Sequence, residues 1–142
     1  MSEPAKMINF ELVSPEEKLI SDPVNMAIIP GEEGEFGVGA GHCALVASLK
    51  PGTVELYNEV GSEPRKIFIA GGFADVTAEN CTILAEEAVD VATLNQSEIE
   101  HKITNLNEDL NLAEEEIDKD RIMRELDLLK AKLSAITGHL VF

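Results

Sequence analysis

Pro30-Gly31-Glu32-Glu33-Gly34-Glu35-Phe36-Gly37-Val38-Gly39-Ala40-Gly41-His42 decides how this chain is read. Five glycines fall within these thirteen residues. Glycine at this density marks backbone that needs positive φ or a very close approach. A strand-like run, Ala44-Leu45-Val46-Ala47-Ser48-Leu49, follows almost at once, and Lys50-Pro51-Gly52 then signals a turn before another strand. The spacing Gly37-x-Gly39-x-Gly41 could be mistaken for a phosphate cradle. It lacks the Gly-Lys-Ser/Thr ending, no helix follows it, and Glu32, Glu33 and Glu35 would repel phosphate. The stretch reads as a tight inter-strand loop.

On both sides of that loop the apolar residues recur with period two. Ile8, Phe10 and Leu12 alternate with Asn9 and Glu11; Val24, Met26 and Ile28 alternate with Asn25, Ala27 and Ile29. Val54 and Leu56, Ile67 and Ile69, Ala74 and Val76, and Cys81, Ile83 and Ala85 continue the pattern. Ser14-Pro15, Asp22-Pro23, Pro30-Gly31, Pro51-Gly52 and Ala78-Glu79-Asn80 punctuate it as turns. Short alternating runs between turn signals predict an all-β sandwich or barrel. Ala27, Ile29, Phe68 and Ala70 are not polar, so their strands are expected to be covered on both faces.

From Ser97 the period changes. Ile99, Ile103, Leu106 and Leu110 are spaced four, three and four, and Ala113, Ile117, Met123, Leu126, Leu129, Leu133 and Ile136 extend the stripe. Ser97-Glu98-Ile99-Glu100 reads as a capping box and Gly138 as a C-cap. No Gly or Pro interrupts residues 97–137, so a break must come from polar residues. Asn111-Leu112-Ala113-Glu114 can cap a second helix, which puts the turn near residues 109–113. One unbroken helix would be ~60 Å long and would need a partner along its length.

Composition narrows the class. The net charge is −16, with 27 Asp and Glu against 11 Lys and Arg. Such a surface repels nucleic-acid phosphates and anionic lipid heads, so any partner should present basic or apolar patches. No apolar run approaches a membrane span, and Met1-Ser2-Glu3-Pro4 resembles neither a secretory signal nor a transit peptide. The chain therefore reads as cytosolic, and the N-terminal methionine favours a bacterial source. Cys43 and Cys81 lack Cys-x-x-Cys spacing and read as two small buried hydrophobes, with no zinc site and no structural disulfide.

Four elements stand in order: Pro30-Gly31-Glu32-Glu33-Gly34-Glu35-Phe36-Gly37, Gly41-His42, Leu49-Lys50-Pro51-Gly52 and Gly71-Gly72-Phe73, preceded by Phe10-Glu11-Leu12-Val13-Ser14-Pro15-Glu16. Together they resemble the epsilon subunit family of the rotary proton-translocating ATP synthase, called delta in mitochondria. The resemblance covers residues 6–90 by motif and the rest by architecture. It implies a β-sandwich of two five-stranded sheets over residues 1–88, then an α-helical hairpin over 89–142. It implies a non-catalytic central-stalk subunit, peripheral on the cytoplasmic face of the bacterial inner membrane, with no cofactor and no metal. Its partners would be the gamma shaft and the membrane c-ring, and the alpha and beta subunits through the helices. Its work would be coupling rotation to ATP synthesis and restraining ATP hydrolysis.

The resemblance also implies residues. The glycine-rich segment would lie against the shaft and the ring, which makes Gly34, Gly37, Gly39, Gly41 and His42 contact candidates. Ala40 stands where the family commonly has proline, and Cys43-Ala44 replaces Ala-Pro. Several bacterial members bind ATP through Ile/Leu-Asp-x-x-Arg-Ala; here Val89-Asp90-Val91-Ala92-Thr93-Leu94 matches at Asp90, but Thr93 replaces the arginine that would meet a phosphate. Tight ATP binding is therefore not expected. Ile117-Asp118-Lys119-Asp120-Arg121-Ile122 fits the pattern better but lies elsewhere in the chain. Arg121, Arg124, Lys130 and Lys132 are the regulatory candidates, against the equal alternative that they pair with acids on their own helix. A second reading remains open: a β-sandwich ligand-binding or enzyme domain with a helical oligomerisation tail.

Overall fold

The computed structural model describes residues 7–58 and 63–137. The chain separates into two compact units between Val89 and Asp90.

The first unit is built from strands: β1 Ile8–Val13, β2 Lys18–Val24, β3 Met26–Gly31, β4 Gly34–Gly39, β5 Leu45–Leu49, β6 Gly52–Tyr57, β7 Arg65–Ile69, β8 Gly72–Val76, β9 Asn80–Ala85 and β10 Ala88–Asp90. Hydrogen bonding runs in the order β10-β7-β6-β3-β5-β8-β9-β1-β2, with β4 on the other side of β3. Five strands (β10, β7, β6, β3, β4) form one layer and five (β5, β8, β9, β1, β2) the other. The expected pair of five-stranded sheets is present, joined by one registered pair, Gly31 with Leu49. The β1–β2, β3–β4, β3–β5, β3–β6, β5–β8, β6–β7 and β8–β9 pairs are antiparallel, and β1 pairs parallel with β9. That parallel pair brings the first and ninth strands side by side, so the chain must travel the whole sandwich before closing it.

The core is what the alternation predicts for most strands. Ile8, Phe10, Leu12, Val54, Leu56, Ile67, Ile69, Ala74, Val76, Cys81, Ile83 and Ala85 are buried in one cluster. No described polar or charged side chain is buried, so the side chains of this core contribute through packing and the hydrophobic effect. Phe68 is also fully buried but stands outside that cluster, so β7 is covered on both faces there.

Three local readings change. On β3 the inward residues are Ala27 and Ile29, while Met26 is exposed and Ile28 half-buried. Asn25 separates β2 from β3 and shifts the parity, and a one-residue shift exchanges the faces of a strand. Asp22-Pro23 is not a turn: both residues lie within β2, opposite Phe10 and Asn9 of β1. Pro23 is tolerated because β2 is an edge strand, where a missing N–H costs no ladder bond. Gly34–Gly39, read as loop, is strand β4, because Phe36 and Val38 supply the inward alternation that the glycines hide.

The second unit begins with a 3-10 turn, Val91–Thr93, and continues as α1 Gln96–Leu112 and α2 Glu116–Thr137. The N-cap of α1 is Asn95, whose side-chain oxygen accepts from the Glu98 N–H. Ser97 lies inside the helix, and Glu100 accepts instead from the Gln96 amide at 3.1 Å. Asn caps as well as Ser, and it is the residue immediately before the helix begins at Gln96. The turn falls at 113–115, so Asn111 belongs to α1 and caps nothing. This break resets the phase of α2. Its inward stripe is Ile122, Leu126 and Leu133, while Ile117 and Met123, assigned to the stripe from sequence, are exposed. Gly138 lies outside the described residues.

Candidate functional site

The glycine-rich segment is a hairpin with a solvent-facing tip. β3 and β4 pair along their whole length, from Met26 opposite Gly39 to Gly31 opposite Gly34. Glu32 and Glu33 form the turn without positive φ, and Gly34 takes the left-handed value, φ 133°, that brings the chain back. A side chain at Gly34 would be strained there, although nothing lies within 4 Å of where its Cβ would stand. The other edge of β4 pairs with no described strand.

Charge gathers at this tip. Glu32, Glu33, Gly34, Glu35 and Gly37 are all exposed. An open groove of about 530 Å³ separates the tip from the outward stretch of β5, with Phe36 and Leu45 as its half-buried floor. Beyond β4, Gly41 turns with φ 81° and its N–H donates to the Ala78 carbonyl at 2.8 Å. His42 follows, its backbone N–H donating to the Gly39 carbonyl at 3.2 Å and its ring Nδ1 lying 2.7 Å from the Cys43 carbonyl. The imidazole is therefore tied to the adjacent peptide. Gly34, Gly37 and Gly39 share one strand, and Gly41 and His42 occupy the turn that follows it. Cys43, read as buried, is exposed, whereas Cys81 is buried in the core and both are free thiols.

At the junction of the units, Asp90 caps the 3-10 turn. Its carboxylate accepts from the Ala92 N–H at 3.0 Å, and the Thr93 hydroxyl donates to the Asp90 carbonyl at 2.8 Å. The two residues of the partial nucleotide motif are thus employed in local structure. In the second string, Arg121 reaches Asp118 and Glu125 of its own helix, each at 3.9 Å. The four basic candidates therefore differ. Arg121 is paired within α2; Arg124 and Lys130 form no ion pair among the described residues; Lys132 has a partner. Exposed i,i+3 and i,i+4 pairs stabilise a helix only weakly.

Sequence reasoning missed the outward-facing apolar residues of the sandwich. Val46, Phe73 and Leu84 are exposed although they sit in regular strands. Alternation predicts which residues point away from the core, and a large apolar side chain in such a place was the available signal.

No group of three or more His, Cys, Asp and Glu able to hold a metal ion occurs among the described residues. No described helix is long and apolar enough to cross a membrane.

Residues 7–91 match the beta-sandwich domain of the ATP synthase delta/epsilon chain. Relatives described as ATP synthase epsilon chain include one from Rhodospirillum centenum, 40% identical over 139 residues and covering 95% of each chain. A second, from Rhodospirillum rubrum, is 39% identical over 134 residues, covering 94% of this chain and 99% of its own. Among solved structures, a chain of the Euglena gracilis mitochondrial ATP synthase (OSCP/F1/c-ring) superposes with a TM-score of 0.81 at 27% identity, covering 96% of this chain and 84% of that one. A chain of the Tetrahymena thermophila central stalk and c-ring shares the fold, with a TM-score of 0.62 at 14% identity. The likeness extends through both the strands and the helices, and the chain belongs to the ATP synthase delta/epsilon family.

Proposed function

We propose that this chain is a non-catalytic central-stalk subunit of a proton-translocating ATP synthase, joined to the gamma shaft and the c-ring and turning with them. The observation that carries the reading is the 40% identity to an epsilon chain across 95% of both sequences, which includes the helices as well as the sandwich. Phosphoryl transfer then belongs to other subunits. A rotor element must be stiff, and a ten-stranded sandwich with an all-apolar core supplies stiffness. The hairpin tip and His42 are its contact elements, because glycine lets backbone sit flush against a partner. The helices are the regulatory element, meeting the alpha and beta subunits through Arg124 and its neighbours and opposing hydrolysis. The chain works at the cytoplasmic face of the bacterial inner membrane, held there by its partners.

Co-purification tests the reading. Tagged full-length chain expressed in its own cells should bring down the gamma and c subunits in stoichiometric amounts, and should have no ATPase activity alone. Recovery of the chain as a free species, with none of these subunits, overturns it.

A further inference from the structure

We infer that the open edge of β4 is a strand-addition site: it takes an extended segment of a partner protein that carries lysine or arginine beside Glu35. The site rests on the stalk-subunit reading above, and it names how the glycine-rich hairpin is held.

Backbone geometry identifies the free groups. The Glu32 N–H donates to the Ser48 carbonyl and the Lys50 N–H to the Pro30 carbonyl, each at 3.0 Å, so the peptide groups of Pro30 and Glu32 face β5. Successive residues of a strand turn their N–H and C=O to opposite sides, so Gly31 and Ile29 face β4 instead. Their partners Gly34 and Phe36 therefore bond to β3, and Val38, opposite Ala27, continues the series. Glu35 and Gly37 are left with N–H and C=O aimed at the side where no described strand lies. Both residues are exposed, and Gly37 has no side chain to screen its peptide groups.

The other edges show the contrast. Native sheets protect an open edge with proline, lysine, a bulge or a very short strand. β2 carries Lys18 and Pro23, and its register with β1 shifts between Leu12 and Val13. β10 is three residues long. β4 is six residues long, pairs with β3 without a register shift, and contains no proline, lysine or arginine. An edge left open in this way is a liability unless a partner pairs with it.

Charge selects the occupant. Glu32, Glu33 and Glu35 are exposed beside this edge, and none has an ion pair among the described residues. A second copy of this chain, paired edge to edge, would set these carboxylates against their counterparts, on molecules that each carry −16. An extended segment with a basic side chain satisfies both features. Its ladder bonds to Glu35 and Gly37 supply the affinity, and its cation fixes direction and register.

The test uses enzyme assembled with full-length chain, and hydrogen exchange resolved to single amides. Strand addition protects alternate residues, which a side-chain contact does not. The Glu35 and Gly37 amides should slow on the order of a hundredfold on assembly, while those of Phe36 and Val38 are slow already in the free chain. Gly37→Pro removes an edge-facing donor and spares the ladder to β3. It should hold its partners on the order of tenfold more weakly than Gly37→Ala, the weight of one peptide hydrogen bond. Glu35→Lys should weaken assembly and flatten its salt dependence, because a partner cation then meets a like charge. Wild-type chain that joins no other subunit overturns the stalk reading and this inference with it. Wild-type chain that assembles while Glu35 and Gly37 exchange as fast as in the free chain overturns this inference alone. So does equal affinity of Gly37→Pro and Gly37→Ala, or protection of the same amides in a homodimer of the free chain, which would make a second copy the occupant. Should Gly37→Pro unfold the sandwich, the wild-type exchange pattern decides by itself.

Discussion

Gly31 at the end of β3 pairs with Leu49 at the end of β5, and among the described residues this is the one registered pair that joins the two five-stranded layers. Two backbone bonds flank it, from Glu32 N–H to the Ser48 carbonyl at 3.0 Å and from Lys50 N–H to the Pro30 carbonyl at 3.0 Å. Leu49 is 4% exposed, so the same residue also packs the core between the layers.

Leu49→Ala should therefore destabilise the sandwich by about 2–5 kcal/mol, the range for a buried leucine whose site cannot fully collapse. Urea unfolding followed by circular dichroism checks it. A loss under 1 kcal/mol would mean that the layers are held together elsewhere.

The cap of α1 distinguishes two neighbouring residues. Asn95→Ala removes the acceptor for the Glu98 N–H and should cost about 1 kcal/mol. Ser97→Ala should be neutral or stabilise by a few tenths of a kcal/mol (~0.3), because Ser97 is an exposed helical residue and Ala is the better helix former. Paired denaturation curves of the full chain decide between them, and the reverse ranking would restore Ser97 as the cap.

Cys81 predicts a pH dependence. Burial, with the Asp75 charge as a smaller cause, pushes its thiol up from 9.0 to about 12. The unfolded thiol ionises near its ordinary value while the folded one keeps its proton. Between about 9 and 12 the native state thus binds more protons, and stability falls as pH rises. Tyr57 is also raised, chiefly by its hydrogen bond to Glu55, and contributes in the same direction. Comparing unfolding free energies from pH 8.5 to 11 isolates the thiol: Cys81→Val should lose part of the slope. At pH 8 a maleimide should label Cys43 and spare Cys81.

The regulatory helix gives a separation that charge counting alone does not. Arg121→Glu breaks two exposed intrahelical pairs and should cost about 0.2–0.5 kcal/mol for each. Arg124→Glu breaks none among the described residues. If the helix meets acidic partners, Arg124→Glu should raise ATP hydrolysis by the assembled enzyme while costing the chain itself only about 0.2–0.5 kcal/mol for each new like-charge neighbour, Asp120 and Asp127. Hydrolysis rates equal to wild type in both variants would remove the inhibitory role.

Chain ending at Val89 should fold by itself, because the first compact unit ends there and only the last residue of β10 lies beyond it. A cooperative transition with β-type circular dichroism is the expected result. Assembled into the enzyme, it should support ATP synthesis while hydrolysis rises.

The period-two runs by themselves determined an all-β sandwich or barrel. Ile8-Phe10-Leu12 and Cys81-Ile83-Ala85 bury as their alternation requires, because a strand covered on one face hides every second side chain. The change of period after residue 96 likewise determined two helices, since a 3.6-residue repeat buries one stripe. What sequence could not determine was phase and partnership. Asn25 and the break at 113–115 are each compatible with more than one register, and packing against the opposing layer or helix chose the faces of Met26 and Ile117. Pro23 reads as a turn until topology puts β2 at a sheet edge. The glycines of β4 read as a loop until β3 supplies a ladder for them. The juxtaposition of Phe73 with Leu84 and of Gly31 with Leu49 is set by strand order, which depends on long-range contacts that no local pattern encodes.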